Sequence, residues 1–342
     1  MKSIIITLFL IPAGLSAQIG MGGNDPNALV EEITGTAVTV SNVQYSGWYD
    51  AISYFGANVQ NMPFQSGVLM TTGSKYCALG PNDDPGDGMD NLMPGAGFLT
   101  AIAGAPTSNA AFFGFDFVPL GDTLYIPYIF GSDEYPEYVA TNFKDLFVIL
   151  ISGPGYNGAV NIAKAPNDSI ISVNTVNNGQ NNVGPCMNCS VYLYNGDGTE
   201  QPYAGSESYL QYDGLTKPLV AKAAVTPGET YHLIIAIADV TDGILDSGVL
   251  LQSRGMTADV PAYLLESSVN VYPNPVTDEF TISLKEGSLL ESYELVDVSG
   301  RCIAKGALST LTQVDFSEMA SGIYHLRLFA KTGSIAKKVV KY

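Results

Sequence analysis

The 342-residue chain carries 33 acidic and 15 basic side chains, a formal net charge of −18, with an apolar content of 46%. That length suits one large domain plus a smaller one, and the composition supports a sizeable core. The charge argues against nucleic acid and against anionic membrane surfaces, both of which need clustered Lys and Arg. The two histidines, His232 and His325, are too distant in sequence for a two-His metal site within one domain.

Residues 1–17 read as a secretory signal peptide. Lys2 precedes the apolar run Ile4–Ile11, and small residues lead to a cut after Ala17. The run is too short to span a bilayer, and later apolar segments such as Leu146–Ile151 and Leu233–Ala238 are strand-length. No transmembrane helix is expected.

From residue 18 onward the predicted elements are strands: Phe112–Val118, Thr123–Phe130, Leu146–Ile151, Val191–Tyr194 and Tyr231–Ala238. Clusters such as Gly153-Pro154-Gly155, Asn195-Gly196-Asp197-Gly198 and Pro227-Gly228 separate them as turns. Many short strands with such turns predict an all-β fold, a large sandwich or jelly roll over residues 18–258. Residues 18–260 hold 24 acidic and 6 basic side chains, against 9 and 8 in residues 261–342. The shift places a boundary near Thr257–Pro261 and a linker over 259–268.

Residues 269–342 predict a small Ig-like β-sandwich, with strands at Val269–Tyr272, Phe280–Leu284, Tyr293–Val298, Ile323–Phe329 and Ile335–Tyr342. Ser299-Gly300 and Ser321-Gly322 supply the turns. Lysines on the last strand also suit an edge protected against further pairing. Of the four cysteines, two among Cys77, Cys186 and Cys189 suit a disulfide in an oxidising compartment better than zinc, with the pairing left open. Cys302 reads as an ordinary buried thiol.

Four separated motifs, Val271–Val276, Leu295–Arg301, Met319–Tyr324 and Lys337–Lys341, resemble the type A sorting domain of the type IX secretion system of Bacteroidota. Cys302 departs from that pattern, where the family usually has an aliphatic residue. The resemblance implies the secretion machinery and its sorting peptidase as partners. It further implies removal of the tail, then release or attachment to surface lipopolysaccharide. Upstream, Phe115–Leu124 with Tyr128–Tyr138, Phe143–Phe147 with Ile151–Gly155 and Asn161–Ala163, and Thr230–Leu251 resemble the choice-of-anchor L domain. Gly86–Leu92 is similar to an acidic loop near the start of that module. This resemblance implies a secreted or cell-surface location and an adhesin-like role, with no established reaction.

Candidate chemistry centres on carboxylates. Asp239, Asp242 and Asp246 follow an apolar strand within eight residues, while Asp133, Glu134 and Asp145 come from another strand end and the segment after it. Ca²⁺ takes six to eight oxygens of this kind, so these six residues are candidate calcium ligands. The competing reading is turn capping, with Ser132 and Ser247 assisting. Asp83–Asp90 reads as a solvated loop.

An enzyme is not expected, since no Gly-x-Ser-x-Gly elbow, phosphate loop or zinc-protease motif occurs. His232 within an apolar strand reads as a satisfied core or surface residue. The aromatic group Tyr45, Trp48, Tyr49, Tyr54 and Phe55 suits core better than sugar stacking, and amides in Asn174–Asn182 suit sugar hydroxyls. The expected function is a non-catalytic, calcium-stabilised surface binder of glycan or host-surface ligands. The alternatives are a polysaccharide hydrolase using a pair such as Glu134 and Asp246, or a structural matrix component.

Overall fold

The computed structural model describes residues 19–35, 38–57, 62–196, 198–199, 205–206, 209–258, 262–330 and 333–342. The expected signal peptide, 1–17, lies outside the described residues. In chain order the large domain contains β1 (Ile19–Met21), α1 (Pro26–Ile33), β2 (Val38–Ser46), β3 (Ile52–Ala57), β4 (Ser66–Thr71), α2 (Gly97–Ala103), β5 (Thr107–Pro119) and β6 (Thr123–Ser132). It continues with β7 (Leu146–Ser152), β8 (Val160–Asn161), β9 (Ile171–Ser172), β10 (Tyr192–Tyr194), β11 (Gly214–Thr216), β12 (Leu219–Ala224), β13 (Tyr231–Val240) and β14 (Ser247–Gln252). The chain is nearly all β, as its sequence predicts.

Two antiparallel sheets face one another. One runs β1-β3-β4-β14-β6-β11-β10, with β12 also on β6; the other runs β2-β5-β13-β7-β8, with β9 also on β7. Alternation along the strands sends Phe113, Phe115 and Phe117 of β5 and Leu233, Ile235 and Ile237 of β13 into the space between the sheets. Leu124, Ile126, Tyr128 and Phe130 of β6 meet them from the opposite sheet. The outer face of the second sheet is covered as well: Leu146, Val148 and Leu150 of β7 pack with Ala236 and Ala238 under Leu99 of α2. Strands buried on both faces become nearly continuous apolar runs.

The C-terminal part begins with α3 (Ala262–Ser267), which lies inside the segment expected as linker. Leu265 of α3 and Tyr125 of β6 both join the C-terminal core. Seven strands follow: β15 (Val269–Tyr272), β16 (Glu279–Leu284), β17 (Ser292–Asp297), β18 (Cys302–Ala307), β19 (Leu311–Asp315), β20 (Gly322–Phe329) and β21 (Ser334–Lys341). They form the sheets β15-β16-β19 and β18-β17-β20-β21 around Phe280, Phe316 and Leu326. The turn between β17 and β18 places Gly300 at φ 85°, a conformation that favours glycine.

The edge strand β21 is covered along part of its length. Asn274 donates from Nδ2 to the Lys338 carbonyl at 2.8 Å and accepts from the Val340 amide at 3.0 Å. The Val276 amide donates to the Val340 carbonyl at 2.7 Å. The Val271–Val276 motif therefore pins the last strand.

Two expectations about cysteine are resolved. Cys186 and Cys189 form the disulfide, leaving Cys77 as the half-buried free thiol. Cys302 is exposed, not buried, because its side of β18 faces solvent. His232 lies on the surface of β13, with Nδ1 2.8 Å from Asp116 Oδ1.

Candidate functional site: a buried carboxylate cluster

Strand pairing brings the acidic loops together. Ser247 at the start of β14 pairs with Ser132 at the end of β6, and Gly248 pairs with Thr71 at the end of β4. In the other sheet Ala238 near the end of β13 pairs with Leu146 at the start of β7. Asp133, Glu134, Asp145, Asp239, Asp242 and Asp246 are thus all delivered to one end of the sandwich, across both sheets. Asp133, Glu134, Asp145, Asp239 and Asp246 are buried there, at 3% exposure or less, and Asp242 is half-buried at the rim.

Some of the carboxylate oxygens serve as caps. Asp145 Oδ1 accepts from the Val240 amide at 2.9 Å and its Oδ2 from Ser247 Oγ at 2.8 Å. Asp246 Oδ1 accepts from the Met89 amide at 3.0 Å, and Asp133 Oδ1 from the Asp213 amide at 3.2 Å. Asp239 Oδ2 accepts from Asn109 Nδ2 at 2.8 Å, and the same amide reaches Asp90 Oδ1 at 3.1 Å. The other oxygens of three groups, Asp133 Oδ2, Asp239 Oδ1 and Asp246 Oδ2, are buried with no hydrogen-bond partner, as is Asn109 Oδ1. Turn capping accounts for one oxygen of each of these carboxylates; the other makes no hydrogen bond of good geometry, although Thr72 and Asp145 lie close to Asp239 and the Cys77 thiol close to Asp246.

An unpaired buried anion is costly, so such groups hold protons or recruit a cation. None of the four ion pairs found among the described residues reaches the cluster. Burial first, and then repulsion from Asp145, pushes Glu134 up to about 10. Burial also raises Asp145 and Asp246 to about 7, against the lowering effect of the amides they accept from. Asp133 and Asp239 lie well above the usual carboxylate range, through burial and then through Asp213 and Asp145 respectively. Cys77 borders the same region; burial and the charges of Asp246 and Asp87 push its thiol up to about 12.

Glycines allow the loops to close on the cluster. A Cβ at Gly73 would fall 1.7 Å from Asp246 Oδ2, one at Gly88 2.3 Å from the Ile244 carbonyl, and one at Gly243 2.4 Å from Asn109 Nδ2. The Asp83–Asp90 loop is exposed at Asp83–Gly86 and again at Met89 and Asp90, as a solvated loop should be, yet the Met89 amide and Asp90 Oδ1 hydrogen-bond to groups of the cluster. Sequence reasoning passed over Gly73, Asn109 and Asp213. The donors present are hard oxygens, the kind Ca²⁺ accepts. Among the described residues, no three His, Cys, Asp or Glu side chains converge closely enough to enclose an ion by themselves.

The aromatic group expected as core is divided. Phe55 is buried and Tyr45, Trp48 and Tyr54 pack against the core, whereas Tyr49 is 60% exposed.

Comparison with known proteins decides the family. A model described as the choice-of-anchor L domain matches residues 21–257. The chain belongs to the choice-of-anchor L domain family. A second model, the secretion system C-terminal sorting domain, matches residues 270–342. This choice-of-anchor L protein is therefore cargo of the type IX secretion system, exported to the cell surface or released. No helix among its described residues is long and apolar enough to cross a membrane.

No curated protein matches the chain. Among solved structures it is similar to a biofilm-associated protein BSP domain, at 6% identity and TM-score 0.18, over 68% of this chain and 49% of that one. A beta-glucuronidase from an uncultured Clostridium matches at 10% identity and TM-score 0.27, over 88% and 45%. Dimeric latent PorU from Porphyromonas gingivalis matches at 14% and 0.20, over 68% and 18%. The choice-of-anchor L protein spans less than half the length of each, and none of these likenesses carries function to it.

Proposed function

We infer that this is a non-catalytic, adhesin-like surface protein whose carboxylate cluster takes up calcium and thereby fixes the loops at one end of the sandwich. The observation that carries this reading is the set of unpartnered buried oxygens on Asp133, Asp239 and Asp246. Asp239 and Asp246, with Asn109 Oδ1, are the residues that would hold the ion, completed by carbonyls and water. Calcium would supply the positive charge that the site's own side chains lack. Asp133, Glu134, Asp145 and Asp242 then form the surrounding acidic shell.

Burial also supports the non-catalytic reading. Glu134 and Asp246, the pair suited to glycoside hydrolysis, are 3% and 0% exposed, so neither meets a polymer from solution. After processing of the tail, we place the mature protein on surface lipopolysaccharide, facing glycan or host-surface ligands.

Calorimetric titration of the chelator-treated full chain tests the calcium site. One saturable calcium site is expected, lost in Asp239→Asn and Asp246→Asn. Wild-type heats that match the two variants would leave the carboxylates as turn caps. Incubation with plant and bacterial polysaccharides is expected to release no reducing ends; release abolished by Glu134→Gln would establish a hydrolase instead.

A further inference from the structure

The large domain and the sorting tail meet near the start of β6, at the other end of that strand from Asp133. A cleft of about 330 Å³ opens along this seam. Its walls include Tyr125, Val220 and Lys222 of the large domain and Leu265, Lys285 and Leu289 on the tail side. We propose that the cleft binds a single-chain anionic amphiphile, its alkyl chain against the apolar walls and its anionic head on Lys222 and Lys285.

Alternation along the strands builds the large-domain wall. Leu124, Ile126 and Tyr128 of β6 and Ala221 and Ala223 of β12 point into the core, so Tyr125, Val220 and Lys222 face outward. Lys222 lies directly across the ladder from Tyr125, and its Nζ stands 5.6 Å from the centre of that ring. On the tail side Leu265 is buried, and Val220 and Leu289 pack against the same C-terminal core. The Lys285 amide donates to the Ser268 carbonyl at 2.8 Å, which ties the turn after β16 to the end of α3. Gly287, at φ 78°, then reverses the chain between Lys285 and Leu289.

Charge selects the ligand. The chain has 33 acidic and 15 basic side chains, yet among the described residues neither Lys222 nor Lys285 forms an ion pair. Glu286, an acid on the same lining, is exposed and pairs with neither. Ammonium groups at the border of an apolar wall attract an anion more strongly than they would in bulk water. Ligand pockets favour domain interfaces and combine mostly apolar walls with a few polar groups, over about 300–1,000 Å³. This cleft lies at the small end of that range, which suits one alkyl chain and not a two-chain lipid. Because both domains supply the walls, the ligand stabilises the docked tail, and removal of the tail takes the site apart.

This inference goes beyond the surface-binder reading and depends on neither calcium nor the acidic end. The test is calorimetric titration of the full chain with decanoate in EGTA, below the micelle-forming concentration. Saturable, submillimolar binding is expected, weaker for octanoate by up to about fourfold per missing methylene. Decyl maltoside, with the same chain and no charge, should bind at least tenfold more weakly than decanoate. Decanoate should likewise bind at least tenfold more weakly to Lys222→Glu and to Lys285→Glu. Both lysines are exposed, so these variants should unfold at the wild-type temperature. Lys164→Glu, exposed between β8 and β9 of the other sheet, should bind decanoate as the wild type does. Absence of saturable decanoate binding, equal affinity for decyl maltoside, or unchanged affinity in either cleft variant would overturn the proposal. The calcium titration is unaffected by any of these results, so the two readings fail separately.

Discussion

Gly73 and Asp246 illustrate how single positions hold the acidic end together. With a hypothetical Cβ 1.7 Å from Asp246 Oδ2, Gly73→Ala must displace either the β4 turn or the carboxylate. Overpacking of this kind costs about 1–3 kcal/mol, and urea unfolding of the variant should show a loss of that size. Asp246→Asn has the opposite effect in EGTA at pH 8. It keeps an acceptor for the Met89 amide and removes a charge that burial opposes. A pKa unit corresponds to about 1.4 kcal/mol, so a gain on the order of 1–3 kcal/mol in urea is expected for the metal-free variant. The gain should disappear in saturating calcium, because only the wild type binds the ion.

Strand ends from both sheets converge on the cluster, so its titration is set by the fold. Unfolded carboxylates titrate near pH 4, roughly three units below Asp145 and Asp246 in the fold. Between those values the native state holds more protons than the unfolded one. Stability of the metal-free protein is therefore complete below pH 4, falls as pH rises through about 7, and falls further toward 10 as Glu134 ionises. Urea midpoints in EGTA across pH 4–9 check this; a rise toward alkaline pH would contradict it.

At the other end of the chain, β21 depends on Asn274. Asn274→Ala removes two hydrogen bonds to the edge strand, a loss of about 1–2 kcal/mol. Amide exchange at Val340 should accelerate while exchange at Leu326, in the neighbouring strand, stays slow.

The physical reasons that made some elements legible in sequence also explain the omissions. Leu146–Ile151 and Leu233–Ala238 are covered on both faces, so burial wrote them as unbroken apolar runs. By contrast β2, with its half-exposed polar alternation, and the short, glycine-interrupted β4 and β14 carry little local signal. The six carboxylates stood out because each lies at or beside the end of a strand. Asn109, Gly73 and Asp213 did not, since only pairing between strands far apart in sequence places them beside Asp239, Asp246 and Asp133.

For the molecule as a whole, the proposal is tested by asking whether calcium completes the buried acidic cluster once the protein is outside the cell. The type IX tail delivers the chain to the cell exterior, and metal uptake by protonated carboxylates is coupled to their deprotonation. The most direct measurement is thermal unfolding of the full chain at pH 8 in millimolar Ca²⁺ and in excess EGTA. An ion at about a thousand times its Kd adds about 4 kcal/mol. For a domain of this size that corresponds to a rise of roughly 8–16 °C in the main transition. The rise should shrink at pH 5, where protons compete for the same oxygens, and vanish in Asp239→Asn. Coincident unfolding curves with and without calcium at pH 8 would contradict the account.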